Sequence, residues 1–206
     1  MGLRFLLFAT CVAIGSLGQA YAQTPNWVTS WAGSVQGPYP LGNPSAQPDM
    51  RFAFPSAEKG ALDQTIRLIV RPSFWGKQAR FRLSNALGTR PVTFGGVFAG
   101  LQRSGSVVEP KSNQPVTFGG AATVSVAPGQ AVWSDPVDLP FVPAQDDPAL
   151  LGRRLAVSLH VTGESGPMTW HAKAMTTSYV TPPGTGSKGA SDGILDFHSV
   201  PPRGSS

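Results

Sequence analysis

Cysteine is nearly absent from this sequence, and charge is scarce. The single cysteine, Cys11, falls within the first 22 residues, a segment that reads as an export leader. The expected mature chain then has no thiol, which excludes disulfide staples, thiolate metal sites and thiol catalysis. An exported protein without disulfides must be held by its core. Charged residues make up 13 % of the chain, roughly half the usual share, while 41 % are hydrophobic. That balance excludes a disordered polyelectrolyte. The 16 Lys and Arg outnumber the 11 Asp and Glu, but they are scattered rather than gathered in a run, and this weighs against a nucleic-acid partner. Beyond position 22 no run approaches the roughly 18 apolar residues of a spanning helix, so no membrane segment is expected after leader removal.

The leader itself has three parts. Arg4 supplies a positive charge, Phe5 to Leu17 is an apolar run, and Ala20-Tyr21-Ala22 is a small-x-small cleavage site with the mature chain starting near Gln23. Phe8-Ala9-Thr10-Cys11 lies too early in the apolar run to serve as a lipoprotein acceptor. A secreted or periplasmic location follows.

What the chain does have is glycine, proline and alternation. The 24 Gly and 20 Pro mark a turn-rich domain, and period-two patterns mark its strands. Ile66, Leu68 and Val70 share one face against Arg67 and Arg71. Ala79, Phe81 and Leu83 alternate with Arg80 and Arg82, and Leu155, Val157, Leu159 and Val161 alternate with Ala156, Ser158 and His160. Met168 to Ala172 follows Gly163-Glu164-Ser165-Gly166-Pro167 as the second arm of a hairpin. Asn26 to Trp31 reads as a short strand, Gly37 to Pro55 as a proline-rich loop, and further strands fit near 92–99, 105–108, 121–126, 130–134 and 175–180. The hexapeptide Pro91-Val92-Thr93-Phe94-Gly95-Gly96 recurs as Pro115-Val116-Thr117-Phe118-Gly119-Gly120, with paired glycines suited to bends at strand ends. No stretch offers a three-turn amphipathic helix. The pattern predicts an all-β domain over residues 23–181. Residues 182–206, opening on Pro182-Pro183-Gly184-Thr185-Gly186-Ser187, read as a flexible linker and the truncated start of a following domain.

Catalytic chemistry is not legible. Of the three histidines, His160, His171 and His198, only His160 and His171 could share a hairpin face, and two imidazoles without a carboxylate cluster fall short of the usual three or four ligands of a metal site. No metal and no cofactor is expected. Ser165 sits in a turn rather than a nucleophile elbow, the aspartates near 135–147 lie beside prolines as turn formers, and Gly184 to Gly189 lacks the strand and helix of a phosphate loop. No catalytic residue is assigned. Binding is the better reading. Trp75, in the turn between two arginine-bearing strands, is the candidate for stacking on a sugar ring. If those strands pair with Arg71 opposite Gln78, Arg67 faces Arg82, with Arg80 on the same side. Such a basic face costs free energy unless an acidic group or anionic ligand relieves it. Trp75, Arg67, Arg80 and Arg82 are therefore the candidate ligand-binding residues.

Several segments together resemble the N-terminal module of secreted two-domain SGNH (GDSL-type) hydrolases. They are Trp27-Val28-Thr29-Ser30-Trp31-Ala32-Gly33-Ser34-Val35-Gln36, Gln64-Thr65-Ile66-Arg67, Arg80-Phe81-Arg82-Leu83-Ser84-Asn85-Ala86-Leu87-Gly88-Thr89-Arg90-Pro91-Val92, Pro115-Val116-Thr117-Phe118-Gly119-Gly120, Ser134-Asp135-Pro136-Val137, Leu155 to Leu159 and Thr177-Ser178-Tyr179-Val180. The resemblance spans roughly Trp27 to Pro183. It implies a jelly-roll-like antiparallel β-sandwich that precedes a catalytic α/β domain in the same chain. That family's Gly-Asp-Ser nucleophile block and Asp-x-x-His base are both missing here; Asp196-Phe197-His198 has the wrong spacing. The resemblance thus implies a non-catalytic accessory domain of an exported esterase acting on acylated carbohydrate or similar esters. A free-standing periplasmic carbohydrate-binding module and a structural or adhesion sandwich are the alternatives.

Overall fold

The computed structural model describes residues 26–39, 50–171, 174–193 and 197–200. Residues 1–25, which hold the expected leader with Cys11, and the last six residues lie outside them. Among the described residues there is no α-helix, and the fold is an antiparallel β-sandwich.

Its principal sheet is built on three strands, β2 (Leu62–Val70), β5 (Val92–Ser104) and β11 (Leu155–Glu164). β11 lies between the other two, with Val157 opposite Leu68 on one side and Ala99 on the other. β13 (Ser178–Val180) extends the sheet beyond β2, and β14 (His198–Val200) extends it beyond β13. Along the outer edge of β5 lie β8 (Val124–Val126), β7 (Gln114–Val116) and β6 (Val107–Val108) in turn. Facing this sheet are two small pairs, β4 (Arg82–Ser84) with β9 (Ala131–Trp133) and β1 (Gln36–Tyr39) with β12 (Met168–Trp170). β3 (Gln78–Ala79) with β10 (Val137–Asp138) closes one end.

The alternation in the sequence decides which side chains meet. Val97, Ala99, Val161 and Val180 turn inward and join Tyr39, Phe54, Leu83, Phe94 and Val126 in one apolar cluster. Trp75, Leu101, Leu139, Leu150, Leu155 and Val157 form a second, with Phe81 and Leu159 packed against both. Burying such side chains contributes roughly 1.5–3 kcal/mol each, the stabilisation a cysteine-free domain requires.

Pairing departs from the expected hairpins in two places. β2 pairs with β11 and β13 rather than with β4, and the partner of Arg82 is Trp133. Arg67 and Arg82 therefore do not oppose each other. β12 pairs with β1 rather than folding back on β11, because the turn around Ser165 carries the chain from one layer to the other. Asn26 to Trp31 is irregular, and Ser30 ties it to the 73–74 turn through backbone and hydroxyl bonds. The repeated hexapeptide takes two conformations. Its first copy runs through a bulge of β5, while its second ends in a turn where Gly119 and Gly120 have φ of +60° and +80°.

The largest departure concerns residues 182–193. Rather than leaving the sheet as a linker, they lie across its outer face as a strap. The amides of Gly184, Gly186 and Lys188 donate to Leu62 O, Asp63 O and Thr65 Oγ1 at 2.8, 3.0 and 2.9 Å. The sheet makes room with small residues, Gly96, Ala156 and Ser158. At Gly189 an added Cβ would meet the Phe98 ring at 2.6 Å, so only glycine passes there. Of the expected ordered stretch 194–200, Ile194 to Asp196 lie outside the described residues, and His198–Val200 form β14.

Candidate functional site

Arg67 is the first candidate residue to be relocated. It lies on the outer face of β2, as the alternation requires, but beneath the strap, with none of its surface exposed. Its guanidinium donates to Ser158 Oγ at 2.8 Å, Ser106 O at 2.5 Å and Ser191 O at 2.7 Å, with a longer contact to Gly189 O at 3.4 Å. The Phe197 ring lies over its other side, 4.4 Å from centroid to guanidinium carbon. Burial pulls the pKa down to about 10 while the charge of Asp192 opposes the shift, so the group stays cationic at neutral pH. It pins the strap to the sheet and is not a ligand-facing group.

Trp75 is corrected as well. It is 6 % exposed and packs edge-on against Phe141, centroids 6.0 Å apart, within the second apolar cluster. Its amide donates to Asp146 Oδ1 at 2.9 Å. The 72–77 turn folds its indole inward, so it offers no face to a sugar.

Arg80 and Arg82 remain at the surface, where the fold gives them an aromatic companion other than Trp75. Trp133 of β9 stands opposite Arg82 and is 54 % exposed. The guanidinium carbons of Arg80 and Arg82 lie 5.6 and 6.0 Å from its ring centroid, and Arg80 is also 5.7 Å from the exposed Trp27. These distances fall within cation–π range. Arg80 is held by its Nε donating to Ser134 O at 2.9 Å. Beside it, Asp135 accepts from Gly120 N at 2.8 Å, Thr117 Oγ1 at 2.7 Å and Gly119 N at 3.0 Å. These donors, the Gly120 amide foremost, hold its carboxyl below the ordinary 3.8, and the charge of Arg80 adds to them. The result is an exposed cluster of two indoles and two guanidiniums, with Arg82 and Trp133 on the β4–β9 pair and Arg80 and Trp27 beside it. The signal for Trp133 was its alternation in strand 130–134; its cross-strand partner could not be read locally.

The remaining candidates hold structural partners. His160 Nε2 bonds Asp63 Oδ1 at 2.8 Å, while His171 Nδ1 bonds Ser34 O at 2.9 Å. The two histidines thus serve different parts of the fold, and no group of three or more potential metal ligands occurs among the described residues. Ser165 is buried, its hydroxyl accepting from Ala61 N and donating to Gly166 O, each at 2.8 Å. Next to this exposed cluster, a groove of about 320 Å³ opens onto the inner face of the principal sheet, with Arg82 at its edge.

Compared with known proteins, the chain matches no family model and no curated sequence.

Proposed function

We propose that this chain is the non-catalytic accessory module of an exported SGNH-type ester hydrolase and that it binds the carbohydrate portion of the substrate. The observation that carries the binding role is Trp133, half exposed and flanked by Arg80 and Arg82 on a strand pair. An indole presents a large flat surface at small entropic cost, suited to the apolar face of a sugar ring. Guanidiniums beside it supply planar forks of donors for hydroxyl or acyl oxygens. The esterase setting rests on the resemblance of Trp27 to Pro183 to the N-terminal module of that family, and catalysis is assigned to the α/β domain of such enzymes. Ser165, the one serine in a suggestive sequence context, has its hydroxyl committed to backbone partners, which supports a binding rather than a hydrolytic role.

Affinity electrophoresis of residues 23–206 in gels containing acetylated xylan or acetylated chitosan tests this reading. Retardation is expected, and Trp133→Ala should reduce it by roughly tenfold in apparent affinity, the value of about one stacked ring. No retardation by either polymer, or retardation that survives both Trp133→Ala and Arg80→Ala, would refute the proposal.

A further inference from the structure

The two faces of β2 are covered in an unexpected order. On its outer face Thr65 and Arg67 are fully buried beneath the strap, whereas Ile66 and Leu68 on the inner face are only partly buried. An apolar inner face of a central strand is normally the most protected surface of a sandwich. Here the second layer, made by β4–β9 and β1–β12, leaves part of it open. The opening is the groove of about 320 Å³, whose floor is Ile66, Leu68 and Leu159 and whose walls include Phe94, Met168 and Trp170.

Its charge is one-sided. Among the described residues that line it there is no Asp, Glu or Lys, and the sole permanently charged side chain is Arg82, with Ser84, Thr169 and His171 as polar neighbours. Arg82 has no carboxylate partner among the described residues; its one described neighbour of note is the Trp133 ring. A volume near 320 Å³ lies at the small end of ligand pockets. A mainly apolar cleft with one cation at its rim selects a ligand with an apolar chain and a single negative head. We infer that the groove binds a single-chain anionic amphiphile of the fatty-acid type, its chain along Ile66, Leu68 and Leu159 and its carboxylate at Arg82. The inference does not depend on the carbohydrate reading, because fatty-acid binding can hold whether or not any sugar is bound.

Isothermal titration of residues 23–206 with laurate, dodecanol and dodecylamine, all below their micellar concentrations, tests it with one tail and three heads. Laurate should bind roughly tenfold or more tightly than either of the others, the worth of a charge-assisted bond. Arg82→Gln should bring laurate down to the affinity of dodecanol and leave dodecanol unchanged. Ala174→Trp, which fills the groove from irregular backbone, should abolish binding of both while the far-ultraviolet spectrum stays as it was; Leu68→Trp provides a second filling variant. Three outcomes would overturn the inference: no uptake of laurate, equal affinity for all three heads, or laurate binding insensitive to Arg82→Gln. Tyr39 and Met50 also line the groove, so laurate binding that emerges only after deletion of residues 41–48 would assign the groove to the chain's own segment and refute the ligand.

Discussion

Replacing Arg67 with Met should be among the most damaging single substitutions in this domain. The change keeps an unbranched apolar stem and removes only the guanidinium. In the folded protein that group makes three hydrogen bonds of 2.5–2.8 Å, to Ser106 O, Ser191 O and Ser158 Oγ. Bonds from a charged donor contribute about 1.5–3 kcal/mol each, but the desolvation of a buried cation offsets a large part of the sum. The net loss on removing one side of a buried charged network is about 3–5 kcal/mol, since two carbonyls and a hydroxyl are left facing a methionine. Against a typical total stability of roughly 5–15 kcal/mol, that is severe. With a urea dependence of about 2 kcal/mol per molar, the unfolding midpoint should fall by about 1.5–2.5 M. Tryptophan fluorescence and far-ultraviolet circular dichroism should report the same transition. Hydrogen exchange adds a local readout. The amides of Gly184, Gly186 and Lys188, which bond the strap to β2, should exchange faster in the variant than global unfolding explains. The same exchange in Arg80→Met should match the natural chain, because Arg80 lies at the surface. A loss under about 1 kcal/mol together with unchanged strap exchange would refute the role given to Arg67.

Three further outcomes follow from the contacts described. Trp75→Ala should cost about 3–5 kcal/mol, the usual penalty for emptying a buried aromatic site, whereas Trp133→Ala should stay within about 0.5 kcal/mol; reversal of that order in urea unfolding would contradict the burial assigned to them. Asp135 titrates below its ordinary 3.8 in the folded chain, so its carboxylate supports the Gly119–Gly120 turn above that value and the support is lost as pH falls through the folded pKa. The stability difference between the natural chain and Asp135→Asn should therefore be constant near neutrality and shrink below pH 3.8, and a difference that grew with acidity would have the wrong sign. Residues 23–206 should hydrolyse p-nitrophenyl acetate no faster than an unrelated protein at equal concentration, and Ser165→Ala should leave that rate unchanged; a stoichiometric burst abolished by Ser165→Ala would make the sandwich itself an enzyme.

By itself the sequence determined the all-β class and the facing of the main strands. Side chains alternate across a strand by covalent geometry, so Ile66 and Leu68 had to oppose Arg67, and Val157 and Leu159 had to oppose Ser158, whatever the partners. It also made Ser165 a turn residue. Which strand pairs with which was beyond its reach, because pairing is settled by non-local packing between segments that local pattern cannot rank. Arg67 and Arg82 looked like neighbours across a hairpin, yet tertiary structure sent one under the strap and the other to Trp133. The strap had the composition of a linker, since glycine and serine serve equally well where a chain must be loose and where it must pass close to a crowded sheet. Gly189 against Phe98 is of the second kind. Trp75 and Trp133 were both tryptophans beside or within short strands; the curl of the 72–77 turn buried one, while packing of Leu83 and Val132 into the core turned the opposite face of β4–β9, with Trp133, to solvent.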